Sequence, residues 1–448
     1  MAGRRARFLE GNLFRHVSVM ALSSSVGLIA VFLVDFVDIL FIAMLGDAAL
    51  TAALGYTAAV LFFTTSIGIG MAIATSALVA RALGADEEEE ARRKATSALI
   101  HGAVVGVAAA ALVTINLWRI MGWLGASGAV RAHAVAYLSI LVPSMPFLIV
   151  AMAAGAVLRA HGDARRAMLV QMVAAVVNAV LDPVFIFGLG WGLEGAAIAS
   201  AIARVVMAGV ALSVVHRVHR GLARPSVAQI GADLRPVLAI AGPALMTQMA
   251  APVGQAYVTR AMAAYGPEAV AAMAIITRTA PIAFAVLFAL SGAVGPVIGQ
   301  NYGARQGARV ARAYRDGLIF AALYTVSVSV LLYVLRAPIA DLFQAQGLTR
   351  SLVYLFCGPL ALLFWFNGVI FVSNAACNNL GRPLVSTLVN WGRNTLGTIL
   401  PVMLLSPAMG AAGVFIGQAA GGIVFGLAAM ALARAVIRDR TRGMVGRV

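Results

Sequence analysis

Acidic residues are scarce in this chain: 17 Asp+Glu among 448 residues, against 33 Lys+Arg. Charged residues of both signs reach only 11%, while 62% of the residues are hydrophobic. A water-soluble globular chain carries about 25% charged and about 45–50% apolar residues, so that class is excluded. Cysteine is almost missing, with Cys357 and Cys377 alone, which excludes a disulfide-stapled scaffold. The two lie on one predicted helix, roughly 30 Å apart by helical rise, too far to bridge; they are expected to be packing thiols. No glycine-rich phosphate loop and no metal-ligand spacing occurs, so ATP-driven transport has no support and no cofactor is expected. Gly 45 and Pro 15 follow no period, which excludes a collagen-like chain.

What the chain does have is long apolar runs. A helix needs about 20 residues to cross a bilayer, and hydropathy with Gly, Pro and charge as punctuation places twelve spans. They run near 16–45, 50–81, 95–121, 131–157, 165–188, 194–216, 236–261, 268–299, 316–336, 350–376, 384–405 and 410–433. The first run follows a basic N-terminus (Arg4, Arg5, Arg7, Arg15), exceeds a signal-peptide core in length and is expected to stay uncleaved. The net charge of +16 would suggest nucleic acid in a soluble protein; here it is a topology signal. With the N-terminus cytoplasmic, 25 of the Lys and Arg fall in inside segments and 4 (Arg119, Arg131, Arg336, Arg350) outside. Positive charge collects on the cytoplasmic side, so both termini are expected there, and no nucleic-acid partner is expected.

The longest polar connection divides the spans into two sets of six. The expected organisation is a cytoplasmic segment 1–15, a first lobe 16–217, a linker 218–235, a second lobe 236–434 and a basic tail 435–448. The sets look like copies: Gly46 matches Gly266, Gly84 matches Gly303, Gly162 matches Gly381 and Gly195 matches Gly410, at offsets of 220, 219, 219 and 215. Six spans per copy keep the same orientation, so the pseudo-axis runs along the membrane normal. The expected fold class is an all-α membrane protein with twelve transmembrane helices in two pseudo-symmetric six-helix lobes, an architecture that transporters use.

Three acids lie well inside predicted spans: Asp35 and Asp38 in span 1 and Asp182 in span 5. Their repeat positions are apolar, Val258 for Asp38 and Pro401 for Asp182. Each carboxylate at depth costs about 2.5–3.5 kcal/mol, whereas a structural hydrogen bond in a membrane returns about 1 kcal/mol. These acids must therefore face water or a partner, and an ion or proton site is the default reading. Asn178 precedes Asp182 by one helical turn, on the same face. Pro183 removes a backbone bond beside it, and freed carbonyls next to carboxylates are how broken membrane helices hold cations. Ser200 in span 6 and Tyr137 in span 4 fall at a similar depth. Burial disfavours a charged carboxylate, so Asp38 and Asp182 can take up a proton, or Na+ with Asn178 as a further ligand.

These residues make the sequence resemble the MATE (multidrug and toxic compound extrusion) family, in its DinF-like branch. The matching stretches are "VDILFIAMLGDAALTAALG" (37–55), "GMAIATSALVARALGA" (70–85), "VLRAHGDAR" (157–165), "NAVLDPVFIFGLGWGLEGAAIAS" (178–200) and "VGPVIGQNYGAR" (294–305). The resemblance implies a multidrug efflux antiporter of a bacterial inner membrane, acting as a monomer on small organic, often cationic compounds by alternating access. It also implies that Asp38, Tyr137, Asn178, Asp182 and the Ser200 hydroxyl form the coupling site for H+ or Na+. Three positions depart from the family pattern: Ser23 stands where a mid-helix proline is common, Asp35 is an additional carboxylate, and Ser200 replaces the commoner Thr.

The deep polar groups of the second half are neutral or positive: Arg278, Asn367, Asn374, Asn390, Arg393, Asn394 and Gln418. They are the candidates for the substrate cavity, with Arg393 either facing an anionic group or held by neighbouring amides and carbonyls. His101 is expected to be a hydrogen-bonded core histidine, and the run Asp86–Glu90 before Arg92, Arg93 and Lys94 a solvated helix start that suits the helix dipole. The arginines keep a lipid-linked oligosaccharide flippase as the alternative function. A membrane prenyltransferase is remote, because the paired acids lie toward the outer side, away from the basic loops.

Overall fold

The computed structural model describes residues 6–444; Arg4 and Arg5 of the basic N-terminus and the end of the tail, 445–448, lie outside the described residues. Every regular element among the described residues is helical. The first half runs α1 (Leu13–Ala43), α2 (Ala48–Gly84), α3 (Glu88–Trp123), α4 (Gly128–Leu141), α5 (Met145–Ala160), α6 (Ala164–Pro183) and α7 (Gly192–His219). The second half runs α8 (Val227–Ala263), α9 (Pro267–Ala283), α10 (Ala285–Gly303), α11 (Gly307–Leu342), α12 (Gly347–Leu355), α13 (Ala361–Leu363), α14 (Trp365–Asn379), α15 (Pro383–Asn394) and α16 (Leu396–Thr441). Side chains such as Ile115 (82% exposed), Leu342 (78%) and Leu404 (76%) point outward from these helices, as an apolar exterior in lipid requires.

Twelve crossings follow from the breaks. Nine helical runs among the described residues are long and apolar enough to span, and joining α9 to α10 (44° bend) and α12–α13 to α14 (42° bend) makes eleven. The twelfth is hidden in α16, where Gly410 has φ +61° and ψ −144° and separates two helices. The interruptions have local causes. Pro143 sits in a 3₁₀ turn, Val142–Ser144, between α4 and α5. Pro359 sits in a π turn, Phe356–Leu360, beside Gly358 at φ −96° and ψ −113°. Proline lacks the N–H for the helical ladder and its ring crowds the preceding turn. Hydropathy sees each of these spans as one run because a break changes no apolar character. Cys357 in that π turn and Cys377 in α14 are both buried, free thiols; the break means they do not share one straight helix. α1, which lacks the mid-helix proline, runs unbroken.

The duplication is written into the backbone. Positive φ recurs at Gly46 and Gly266, Asp86 and Arg305, Gly125 and Gln344, Gly128 and Gly347, Gly162 and Gly381, and Gly192 and Gly410. The last pair corrects the register of one sequence landmark. Gly195 lies inside α7, where a Cβ would meet the Phe185 carbonyl at 2.8 Å, and the residue with the same packing is Gly413, where a Cβ would meet the Leu405 carbonyl oxygen at 2.4 Å. Gly195 thus pairs with Gly413, and Gly410 with Gly192.

Two compact units form, Val26–Gly242 and Met1–Ser25 with Pro243–Val448. The divisions fall inside α1 and α8, so each unit contains the start of the other half's first helix. In Val26–Gly242, the start of α8 is tied down by Asp233, 1% exposed, which accepts from Lys94 (2.5 Å) and Ser97 (2.7 Å) on α3. In the other unit, the segment before α1 is tied down by Arg309, whose guanidinium donates to the Phe8 carbonyl (2.9 Å), while Asn301 donates to the same oxygen (3.1 Å). The core of Val26–Gly242 is largely alanine and valine, including Ala80, Ala95, Ala153, Ala154, Val157 and Ala211; small side chains let membrane helices approach closely. Asp163 caps α6 and receives hydrogen bonds from His219 (2.9 Å) and from the Arg166 amide (3.1 Å) and side chain (2.6 Å). Burial alone would raise its carboxyl, yet the bonds from His219 and Arg166 outweigh burial and hold it well below the usual carboxylate range.

Candidate cation-coupling site

Asp182 closes α6 one residue before Pro183, and the chain continues as a π turn, Val184–Gly188. Its side chain is fully buried, at 0% exposure. Asn178, one turn earlier, donates its Nδ2 to Asp182 Oδ2 at 2.5 Å. Its Oδ1 accepts from Ser200 Oγ of α7 at 3.1 Å. An amide both gives and takes, so Asn178 is a relay that orients the carboxyl from a neighbouring helix.

Asp38 of α1 brings its carboxyl to hydrogen-bonding range of Asp182. Each of the two carries a buried Oδ1 without a partner. Ionised carboxylates only accept, so two in contact need a proton or a cation between them. Tyr137 on α4 is buried, 6% exposed, within electrostatic range of Asp38, Asp35 and Asp182. Asp35 lies one turn before Asp38 and is exposed, whereas Asp38 is half-buried. Exposure therefore falls from Asp35 through Asp38 to Asp182. All six residues named from sequence belong to the unit Val26–Gly242.

One member of the group escaped the sequence reading. Arg204 follows Ser200 by one turn of α7, and its Nη1 reaches Ser144 Oγ at 3.2 Å and the Leu141 carbonyl at 3.3 Å. It holds the break between α4 and α5 and interacts electrostatically with Asp35 and Tyr137. Its signal was present, since it is an arginine inside a span at helical spacing from Ser200, but nothing local says that α4 breaks opposite it.

In the other unit the polar side chains form a different set. Asn390 Nδ2 donates to Asn374 Oδ1 at 3.2 Å, both about 8% exposed, and Ser386 donates to Asn378 Oδ1 at 3.1 Å. Asn394 Nδ2 bonds back to the Asn390 carbonyl at 2.9 Å. Arg393 lies one turn beyond Asn390, half-buried; Arg278 is exposed. Asn367 and Gln418 are half-buried, and among the described residues no hydrogen bond ties them to the Asn374–Asn390 pair.

Twelve helical spans in two repeated sets, with the acids deepest in their spans (Asp35, Asp38 and Asp182) in one of them, define a multispan membrane transporter. The sequence profile of the MatE family matches residues 24–184 and 243–404, one match in each half. The chain belongs to the MatE family. It is 26% identical over 439 residues to the FAD transporter of Shewanella oneidensis, covering 96% of this chain and 97% of that one. It is 23% identical over 442 residues to the multidrug export protein MepA of Staphylococcus aureus, with coverages of 97% and 96%. Among solved structures, the Vibrio cholerae MATE transporter VcmN in the bent form superposes with a TM-score of 0.89 at 25% identity, covering 96% of this chain and 98% of that one. The protein is accordingly a multi-pass membrane protein and a secondary active efflux transporter, not an enzyme.

Proposed function

We propose that this transporter exports small organic compounds in exchange for a cation that enters through Asp38 and Asp182, with both termini cytoplasmic and the monomer as working unit. The observation that carries the reading is the contact of the two carboxyls, each with an orphaned buried oxygen. A buried acceptor without a partner costs about 1–3 kcal/mol, and a proton or Na+ from outside removes that cost. The contact itself favours the proton, because one hydrogen between two carboxyl oxygens preserves the distance while Na+ would have to part them. Asn178 and Ser200 hold Asp182 in place, Tyr137 closes the site from α4, and Arg204 supplies a resident positive charge beside Asp35.

Loading removes one of the pair's two negative charges and changes the packing of α1 against α6, which alternates access for cargo. Exchange of one proton for one monovalent cation moves no net charge and gains about 1.4 kcal/mol per pH unit. A neutral cargo adds about 2.3 kcal/mol per 100 mV from the membrane potential. The Shewanella oneidensis relative carries FAD and the Staphylococcus aureus relative is a multidrug export protein, so the cargo panel needs anionic as well as cationic compounds.

The test is dye efflux from proteoliposomes with pH and Na+ gradients imposed separately. The expected result is efflux under the pH gradient and its loss in Asp182→Asn at unchanged expression. Full transport by that variant would remove the assignment.

A further inference from the structure

Arg393 is the one arginine within the predicted spans of the second half that lies beside a break in its own helix. α15 ends at Asn394, and Thr395 has φ −106° and ψ −89°, outside the helical range. The Thr395 hydroxyl turns back to the Trp391 carbonyl (2.7 Å), and Thr398 donates to the carbonyl of Arg393 itself (2.9 Å) before the helix resumes. The break is packed on both sides. A Cβ at Gly254 of α8 would meet the Asn394 carbonyl oxygen at 2.9 Å, and one at Gly392 would meet the Phe425 ring at 2.2 Å. Non-helical backbone at membrane depth is tolerated where it is buried in protein or lines a water-filled cavity.

Within its unit, and among the described residues, the guanidinium at this break has no counter-charge. Among the described residues it makes no ion pair and no side-chain hydrogen bond. The acids of its unit are Glu10, Glu268, Asp316, Asp341 and Asp439. Of these, Asp316 faces Arg312 and Arg315, Asp341 pairs with Arg350, Asp439 with Arg382, and Glu268 receives the Leu348 amide. An arginine at depth costs about 2.5–3.5 kcal/mol and is normally paired. The amides beside it, Asn390 and Asn394, spend their Nδ2 donors on Asn374, Ser386 and Asn390 oxygens.

We propose that Arg393 is the seat for an anionic group of the cargo, a carboxylate or a phosphate, so that the exporter takes anionic aromatic compounds alongside any cationic ones. The meaning of this seat rests on the exporter reading above, but its test reads binding without any gradient and so fails independently of the coupling site. Arginine suits the role because its planar donor fork matches carboxylate and phosphate oxygens. The shared xanthene ring of fluorescein, an anion at pH 7.5, and rhodamine 6G, a cation, isolates the charge.

The experiment is equilibrium binding of both dyes to the purified full-length protein in neutral detergent, by fluorescence anisotropy. In Arg393→Gln the Kd for fluorescein rises at least about tenfold, while that for rhodamine 6G stays within about twofold, which also certifies the fold. Arg393→Lys keeps the charge without the fork and lands between the two. If Arg393→Gln does not survive purification, the lysine variant alone decides, by weakening fluorescein and sparing rhodamine 6G. No fluorescein binding by the wild type, or equal effects on both dyes, overturns the proposal. So does a tenfold loss of phosphatidylglycerol retention with fluorescein unmoved, since that assigns Arg393 to lipid.

Discussion

The two repeated halves carry opposite chemistry on one scaffold. In Val26–Gly242, Asp35, Asp38 and Asp182 meet an amide, a hydroxyl, a phenol and Arg204. In the other unit the deep polar set is Asn374, Asn378, Ser386, Asn390 and Asn394, with Arg393 making no ion pair among the described residues. Backbone turns repeat at Gly46 and Gly266, Gly162 and Gly381, and Gly192 and Gly410, so the scaffolds stayed alike while the side chains diverged. Proline marks the same place in both, Pro183 beside Asp182 and Pro401 at the position that answers Asp182. On the proposed reading, a proline repeated in both halves sits beside a cation site only in the half where carboxylates were added.

The sharpest way to break this contrast is to move the acid. Asp182→Asn is expected to lower pH-driven dye efflux by at least about 100-fold. Adding Pro401→Asp to that variant should not restore it, because Gly397 stands where Asn178 does and offers no side-chain amide to orient the new carboxyl; recovery of efflux in proteoliposomes would mean that either half can couple.

A second test compares how the halves hold the start of α8 and the segment before α1. Asp233→Ala strands Lys94 beside a buried site, and breaking a buried pair costs about 3–5 kcal/mol, reduced here to about 2 because Lys94 is partly exposed. Asn301→Ala removes neutral bonds to the Phe8 and Val297 carbonyls, worth about 1 kcal/mol each, and the acceptor of Arg309 Nε, which water can replace at this part-buried place, with Arg309 Nη2 still on Phe8. Thermal unfolding in detergent should rank Asp233→Ala as the more damaging; the reverse order would show the second anchor to be the stronger.

Smaller effects test the relay. Ser200→Ala loses one bond to Asn178, worth roughly 0.6–1 kcal/mol in a membrane, and should weaken the apparent affinity for the driving ion about three- to fivefold. Ser200→Thr keeps the oxygen and should match the wild type in the same efflux titration.

The smallest effect is at the turn capped by Asp163. Because its folded-state carboxyl is held below the ordinary 3.8, its contribution is present above that value and fades as the pH falls below it. Asp163→Asn should cost about 1 kcal/mol at pH 7 and converge on the wild type in acid. A gap in unfolding temperature that stays constant down to low pH would show that the charge plays no part.

Much of the coupling group was legible before any fold was known, because expensive residues announce themselves. Asp38, Asn178, Asp182 and Ser200 stood out from apolar runs, and the Asn178–Asp182 spacing follows from helix geometry alone. Arg204 did not, since its bonds go to a 3₁₀ turn sixty residues away. The pairing of Gly195 with Gly413 rather than Gly410 was hidden for a similar reason: both glycines are defined by the carbonyl they pack against. Of the breaks, only the one at Pro183 was read, and the one at Thr395 has no proline at the break itself to announce it.

Composition and order alone thus determined that the chain crosses a membrane many times, that it is a duplication, and that the acids deep in its predicted spans lie in one half. Those properties follow from transfer cost and periodicity, which are sums over local residues. Tertiary structure decided which helices break, that Asp38 reaches Asp182, that Arg204 stands beside Asp35 and that Arg393 meets no carboxylate among the described residues of its unit. Each of these depends on which distant segment lies opposite, and helical periodicity carries no information about that.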